Sequence, residues 1–332
     1  MPANRQFRGA FTALVTPFTS TGAIDEDTFR SLVRRQIDAG IHGLVPCGTT
    51  GETPTLSHEE DEWVIATTLE IASERPSRAR VRVIAGTGSN STATAIRATR
   101  RAAEIGVDAA LVVAPYYNKP DQRMLESHFR AVADEGDLPI IVYNVPSRTG
   151  VNVEAPTLLR LAEHPRIVAV KEASGNMDQI ATILRDRPAD FSVLAGDDTW
   201  TMPMLALGGD GVICTCSNEI PGQMAEMCDA AFAGDWDTAR RIHERWLPLM
   251  KANFAGGPNP VPVKAAMAMM GLLTDVLRAP LLTLEEPHRA RLEMILQTTG
   301  ALDSTPTSAD RTSAAKSGRG RATNAVGAVT GA

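Results

Sequence analysis

The 332-residue sequence is short of several things at once, and each shortage removes a class of protein. Its four cysteines, Cys47, Cys214, Cys216 and Cys228, are too few for a disulfide framework in so long a chain. Cys214-x-Cys216 is not a zinc spacing, so all four are expected as buried thiols. None of the six histidines has metal-ligand spacing with another, and no metal is expected. Long apolar runs are missing too. Ala109–Ala114 and Ala265–Leu273 fall far short of the roughly 20 residues a membrane helix needs, so no membrane span is expected. The start, Met-Pro-Ala-Asn-Arg-Gln-Phe-Arg, lacks an apolar h-region, which predicts no secretory signal and a cytoplasmic protein. Basic surplus is absent as well. With 33 Lys+Arg against 39 Asp+Glu the net charge is -6, which argues against nucleic acid as a partner. There is no phosphate loop, and Gly86-Thr-Gly88 lacks the third glycine of a dinucleotide fingerprint and reads as a tight strand-to-helix turn.

What remains is the composition of an ordinary globular enzyme, with 22% charged and 43% apolar residues. Short apolar runs recur at Ala10–Val15, Gly43–Pro46, Val81–Ala85, Ala110–Ala114, Ile140–Tyr143, Ile167–Val170, Ser192–Ala195 and Gly211–Thr215. Helical patterns lie between them, among others at Asp25–Ala39, His58–Ser73, Thr92–Ile105, Gln122–Asp134 and Ala155–Glu163. The runs are apolar throughout, as in strands covered on both faces. This alternation predicts an α/β fold, a (β/α)8 TIM barrel over residues 1–220. Ser57-x-x-Glu60 is a capping box, and Thr92 is expected to cap the helix after Gly88. From Pro221 the pattern turns wholly helical, which predicts a C-terminal α-helical appendage over 221–300. Residues 301–332, rich in Ala, Ser, Thr and Gly and without aromatics, are expected to be a disordered tail.

In such a barrel the active site lies where the strands end. One lysine stands alone there. Lys171 follows Ile167–Val170 at the rim of an apolar barrel, where desolvation favours a neutral amine that attacks ketones and forms an imine, an electron sink that needs no cofactor. The plainer alternative is a snorkelling or Glu-paired lysine. Tyr117 and Tyr143 also fall at strand ends, beside the hydroxyls of Thr49 and Thr50, and such hydroxyls pass protons while staying neutral. Rings that merely cap the core are the alternative. Arg148, in a loop after a proline, is either a carboxylate fork or a solvated arginine. The run His58-Glu-Glu-Asp-Glu62 suggests metal ligands at first sight, but acids in the first turn of a helix answer its dipole.

Together these residues resemble the dihydrodipicolinate synthase family, within the pyruvate-dependent class I aldolases. The resemblance runs from about Gly9 to Gln297 on Gly48-Thr-Thr-Gly-Glu52, Pro115-Tyr-Tyr-Asn118, Tyr143-Asn-Val-Pro-Ser-Arg-Thr-Gly150, Val170-Lys-Glu172, Gly196-Asp-Asp198 and Pro258-Asn-Pro-Val-Pro-Val-Lys264. It implies that Lys171 forms a Schiff base with pyruvate, that Tyr143 is the general acid/base, and that Thr49 links it to Tyr117, which crosses a dimer interface into the neighbouring site. It further implies Thr50 at the pyruvate carboxylate, Gly196 and Ile213 beside the substrate, and Arg148 at the carboxylate of L-aspartate 4-semialdehyde. A homotetramer of two tight dimers, lysine and diaminopimelate synthesis, and no cofactor complete the expectation. The same imine serves N-acetylneuraminate lyase and the 2-keto-3-deoxy sugar acid aldolases, which generally lack an arginine in the Arg148 loop. A non-catalytic barrel that senses a keto acid is disfavoured by the intact Lys171, Tyr143, Thr49 and Tyr117 set. An effector site for L-lysine is half present: His58, Asn90 and Tyr116 match, whereas Asp61 stands for a histidine and Thr94 for a glutamate, which predicts weak feedback inhibition.

Overall fold

The computed structural model describes residues 5–74 and 81–302. Within them, strands β1 (Gly9–Ala13), β2 (Gly43–Val45), β3 (Arg82–Gly86), β4 (Ala109–Val113), β5 (Ile140–Asn144), β6 (Ile167–Glu172), β7 (Ser192–Ala195) and β8 (Gly211–Cys214) pair in chain order, all parallel. β8 pairs with β1 and closes the barrel. Parallel neighbours cannot be joined by a tight turn, so a helix follows each strand. These are α1 (Glu26–Asp38), α2 (His58–Ser73), α3 (Thr92–Ile105), α4 (Gln122–Glu135), the single turn α5 (Pro146–Thr149) with α6 (Ala155–Ala162), α7 (Met177–Asp186), α8 (Thr201–Ala206) and α9 (Pro221–Phe232). After them come α10 (Trp236–Ala252), α11 (Val261–Met269) and α12 (Glu286–Thr299).

Helix starts are written locally. Asp25, Asp121, Asn176 and Asp235 each accept a backbone N–H of the first turn, and Ser57 and Glu60 form the full capping box. One expectation fails: Ser91, not Thr92, caps α3, and Thr92 is its first helical residue. Ser91 is the better placed of two adjacent hydroxyls because its backbone is extended, as a cap requires.

The apolar residues divide into two layers. Phe11, Val45, Ile84, Leu111, Ile141, Leu194 and Ile213 fill the barrel interior, while Leu44, Val83, Val112, Val142, Val170 and Val212 face the helices. Alternation along each strand makes this division.

Two boundaries move. α9 packs on β1 and α8, so it holds the eighth place in the outer ring, and the helical appendage begins at α10 rather than at Pro221. The ordered chain also runs past 300, for Ala301 is fully buried and Leu302 packs on that core. The rest of the expected tail, 303–332, lies outside the described residues. No helix of the described residues is long and apolar enough to cross a membrane, and all four cysteines are buried and free.

Candidate active site

The alternation that builds the barrel also aims the lysine. Ala169 belongs to the interior and Val170 to the helix-facing layer, so Lys171, one further along β6, faces inward. It is inside the strand rather than after it, and is 7% exposed. In the register of β5 and β6, Tyr143 is its neighbour. The Lys171 Nζ lies 4.3 Å from the centre of the Tyr143 ring. Tyr143, likewise within its strand, is a buried member of the interior layer.

Next to them Gly196 ends the inward face. A Cβ there would stand 3.1 Å from Lys171 Cγ and 2.7 Å from Ala173 Cβ, so only glycine leaves the lysine its place. Ile213, fully buried on β8, closes the interior beneath.

Thr49 and Thr50 open a single 3-10 turn after β2, and the turn ends at Glu52 in the left-handed region. That strain is held from outside. The Glu52 carboxylate, itself buried, accepts from the fully buried Lys264 Nζ at 2.5 Å and from the half-buried Arg278 N–H at 3.0 Å. Burial pulls the Lys264 ammonium down and Glu52 pushes it back up. Helix α11 therefore clamps the threonine turn.

A cavity of about 450 Å³ opens beside Thr49, Tyr143, Val145 and Arg148, within the range of small-molecule sites. Arg148 rides on α5, exposed, with one long hydrogen bond from Nη2 to the Asn259 carbonyl at 3.4 Å. Among the described residues its fork has no other partner, and it can take an anion.

The residues assigned from sequence do not all meet. Tyr117 is 89% exposed, has a positive φ of 73°, and is not part of the cavity wall. Within one chain, then, Tyr117 does not join Tyr143 and Thr49 at the cavity. Of the effector residues, His58 and Tyr116 line the cavity together with Asp61 and Thr94, whereas Asn90 does not and offers its carbonyl to Asn118 at 2.9 Å. Burial lifts the Asp61 carboxyl to about 6, and its Oδ1 has no partner.

Three residues that the sequence reading quoted without a role prove central. Asp198 is fully buried behind the lysine and accepts the Thr215 and Cys216 N–H groups at 3.0 and 2.7 Å. Burial raises it to about 6, against the pull of those two N–H groups and the Lys171 charge. Asn259 Nδ2 donates to Thr50 Oγ1 at 2.9 Å and to Thr215 Oγ1 at 3.4 Å. Glu172, after the lysine, turns outward to Asn144 and Ser174 rather than to Lys171. Its orientation removes the Glu-paired alternative for Lys171. The available signal was their place at the end of a strand, for Glu172, just after one, for Asp198, or between two prolines, for Asn259, which marks a position but not a partner.

Among the described residues no three His, Cys, Asp or Glu side chains come together as a metal-ligand set.

A buried amine at the carboxyl end of a closed (β/α)8 barrel, packed on a tyrosine that lines a cavity together with an exposed arginine, is the arrangement of a lyase of the Schiff-base aldolase kind. The chain belongs to the dihydrodipicolinate synthetase family, whose model matches residues 6–299. It is 50% identical over 90% of its length to the whole 4-hydroxy-tetrahydrodipicolinate synthase of Nitratidesulfovibrio vulgaris DP4. To the Koribacter versatilis enzyme of that name it is 49% identical, over 90% of this chain and 97% of the other. The chloride-inhibited dihydrodipicolinate synthase of Acinetobacter baumannii, solved with pyruvate, superimposes with a TM-score of 0.85 at 39% identity, over 89% of this chain and 99% of the other.

Proposed function

We propose that this chain condenses pyruvate with L-aspartate 4-semialdehyde to give 4-hydroxy-tetrahydrodipicolinate and water, a step of lysine and diaminopimelate synthesis. The observation that carries the reading is the buried Lys171 amine against the Tyr143 ring, beside a cavity that Thr49 and Arg148 line. Thr50 holds the pyruvate carboxylate. The Lys171 amine attacks C2, and the resulting carbinolamine loses water to give the iminium, with Tyr143 handing on the protons. The iminium draws electrons from C3, which gives up a proton and becomes an enamine carbon. That carbon attacks the aldehyde of the second substrate, and the new alkoxide is protonated. The substrate's own amine then adds to C2 and displaces Lys171, closing the ring without further loss of water.

Arg148 receives the second substrate's carboxylate, for which its unpaired fork is suited. In this reading Tyr117 completes the relay of a neighbouring site, which accounts for an exposed tyrosine held at positive φ. The protein works as a homotetramer of two tight dimers in the cytoplasm.

The test is trapping. Borohydride with pyruvate is expected to fix one reduced pyruvyl unit per chain on Lys171, and an NADPH-dependent reductase is expected to consume the product formed with aspartate semialdehyde. Labelling that persists in Lys171→Ala, or no labelling of the wild type, overturns the assignment.

A further inference from the structure

Asn259 has no part in the steps above, yet it touches both substrate ends of the site. Its amide Nδ2 donates to Thr50 Oγ1 at 2.9 Å, while its backbone carbonyl accepts from Arg148 Nη2 at 3.4 Å. It is 8% exposed, and its Oδ1 has no partner.

We propose that Asn259 is a positioning residue that aims the Thr50 hydroxyl at the pyruvate carboxylate, an inference that rests on the assignment of Thr50 above. A threonine hydroxyl has one proton to give and two lone pairs to fill. The Asn259 N–H fills a lone pair, so the Thr50 proton is left for another acceptor. Thr50 is 2% exposed, and among the described residues no acceptor takes that proton. Its O–H is therefore a donor without a partner until an anion arrives, and accepting from Asn259 polarises it further.

The amide is itself braced. Its second contact is Thr215 Oγ1 at 3.4 Å, and the Thr215 N–H is held by Asp198. The pairing is fixed again a few residues away, where Lys264 of the same segment meets Glu52 of the same turn. The backbone carbonyl meanwhile stations Arg148 at the entrance, so one residue sets the separation of the two carboxylate sites.

The experiment is a mutant cycle in pyruvate KM. Thr50→Val and Asn259→Ala should each raise pyruvate KM about ten- to a hundredfold, as expected for a lost hydrogen bond to a charged group. The double variant should be no worse than Thr50→Val alone. kcat at saturating pyruvate should change much less, because Lys171 and Tyr143 keep their places. KM for aspartate semialdehyde should stay within about threefold, because the backbone carbonyl survives substitution. Asn259→Asp keeps the volume but replaces the donor with an acceptor, which captures the Thr50 proton. It should raise pyruvate KM at least as much as Asn259→Ala.

A normal pyruvate KM in Thr50→Val removes the Thr50 assignment itself. If Thr50→Val is impaired while Asn259→Asp behaves as wild type, the amide faces the hydroxyl with its oxygen and the inference fails. Additive losses in the Thr50→Val, Asn259→Ala cycle overturn it as well.

Discussion

Glu219 is a carboxylic acid that the fold keeps protonated, and replacing it with glutamine should stabilise the protein in a pH-dependent way. It follows β8, is fully buried, and has Asn253 Nδ2 on Oε2 at 2.6 Å but no partner for Oε1. Burial, with the Asp198 charge adding to it, lifts the carboxyl from its ordinary 4.5 to about 8. As pH climbs past 4.5 the unfolded chain gives up this proton, whereas the folded chain keeps it until about pH 8. Stability is therefore lost across that window and is constant above it. Each pH unit costs about 1.4 kcal/mol, so the penalty relative to a neutral isostere is under about 1 kcal/mol at pH 5, about 3 at pH 7 and about 5 above pH 8. Glu219→Gln removes the titration and keeps the shape. Urea unfolding of wild type and variant at pH 5 and pH 8 should show an advantage for the variant that grows by several kcal/mol between the two. An advantage that does not change with pH, or a variant less stable at pH 8, would refute the reasoning that Glu219 is neutral in the fold.

Arg148→Ala should leave pyruvate trapping and the melting temperature nearly unchanged, since one 3.4 Å contact is all that is lost. It should cut kcat/KM for aspartate semialdehyde about ten- to several-hundredfold, the worth of a charged fork on a carboxylate; unchanged kinetics would remove it from the site. Gly196→Ala puts a methyl 3.1 Å from Lys171 Cγ, so kcat should fall about tenfold or more for a loss of roughly 1–3 kcal/mol in stability, measured by turnover and urea unfolding together. Full activity would mean that the lysine tolerates displacement. L-lysine should inhibit only weakly, because Thr94 brings no charge to the cavity. The absent charge-assisted bond is worth about ten- to a hundredfold in affinity, and half-inhibition at sub-millimolar lysine would contradict this.

The barrel was legible in the sequence because its determinants are local. Eight apolar runs, the helical spacing between them and caps such as Ser57 with Glu60 act over a few residues, and closure follows once parallel strands must bury both faces. Lys171 was legible for the same reason, since a cation inside an apolar run has few structural uses, and inward alternation on β6 put it beside Tyr143. The limits of that reading are equally physical. α9 has the periodicity of any amphipathic helix, and only its contact with β1 assigns it to the ring. Tyr117 sits four residues past the end of β4 but projects outward, which no spacing predicts. Asn259 and Thr50 lie 209 positions apart and Lys264 and Glu52 lie 212 apart, and each pair meets only because the last helices fold back across the barrel mouth. A hydrogen bond depends on tenths of an ångström between atoms, whereas a sequence pattern specifies only which face a residue takes. The sequence thus determined the strands, the helices and the buried lysine, and the tertiary structure alone decided which distant polar groups hold the threonine turn.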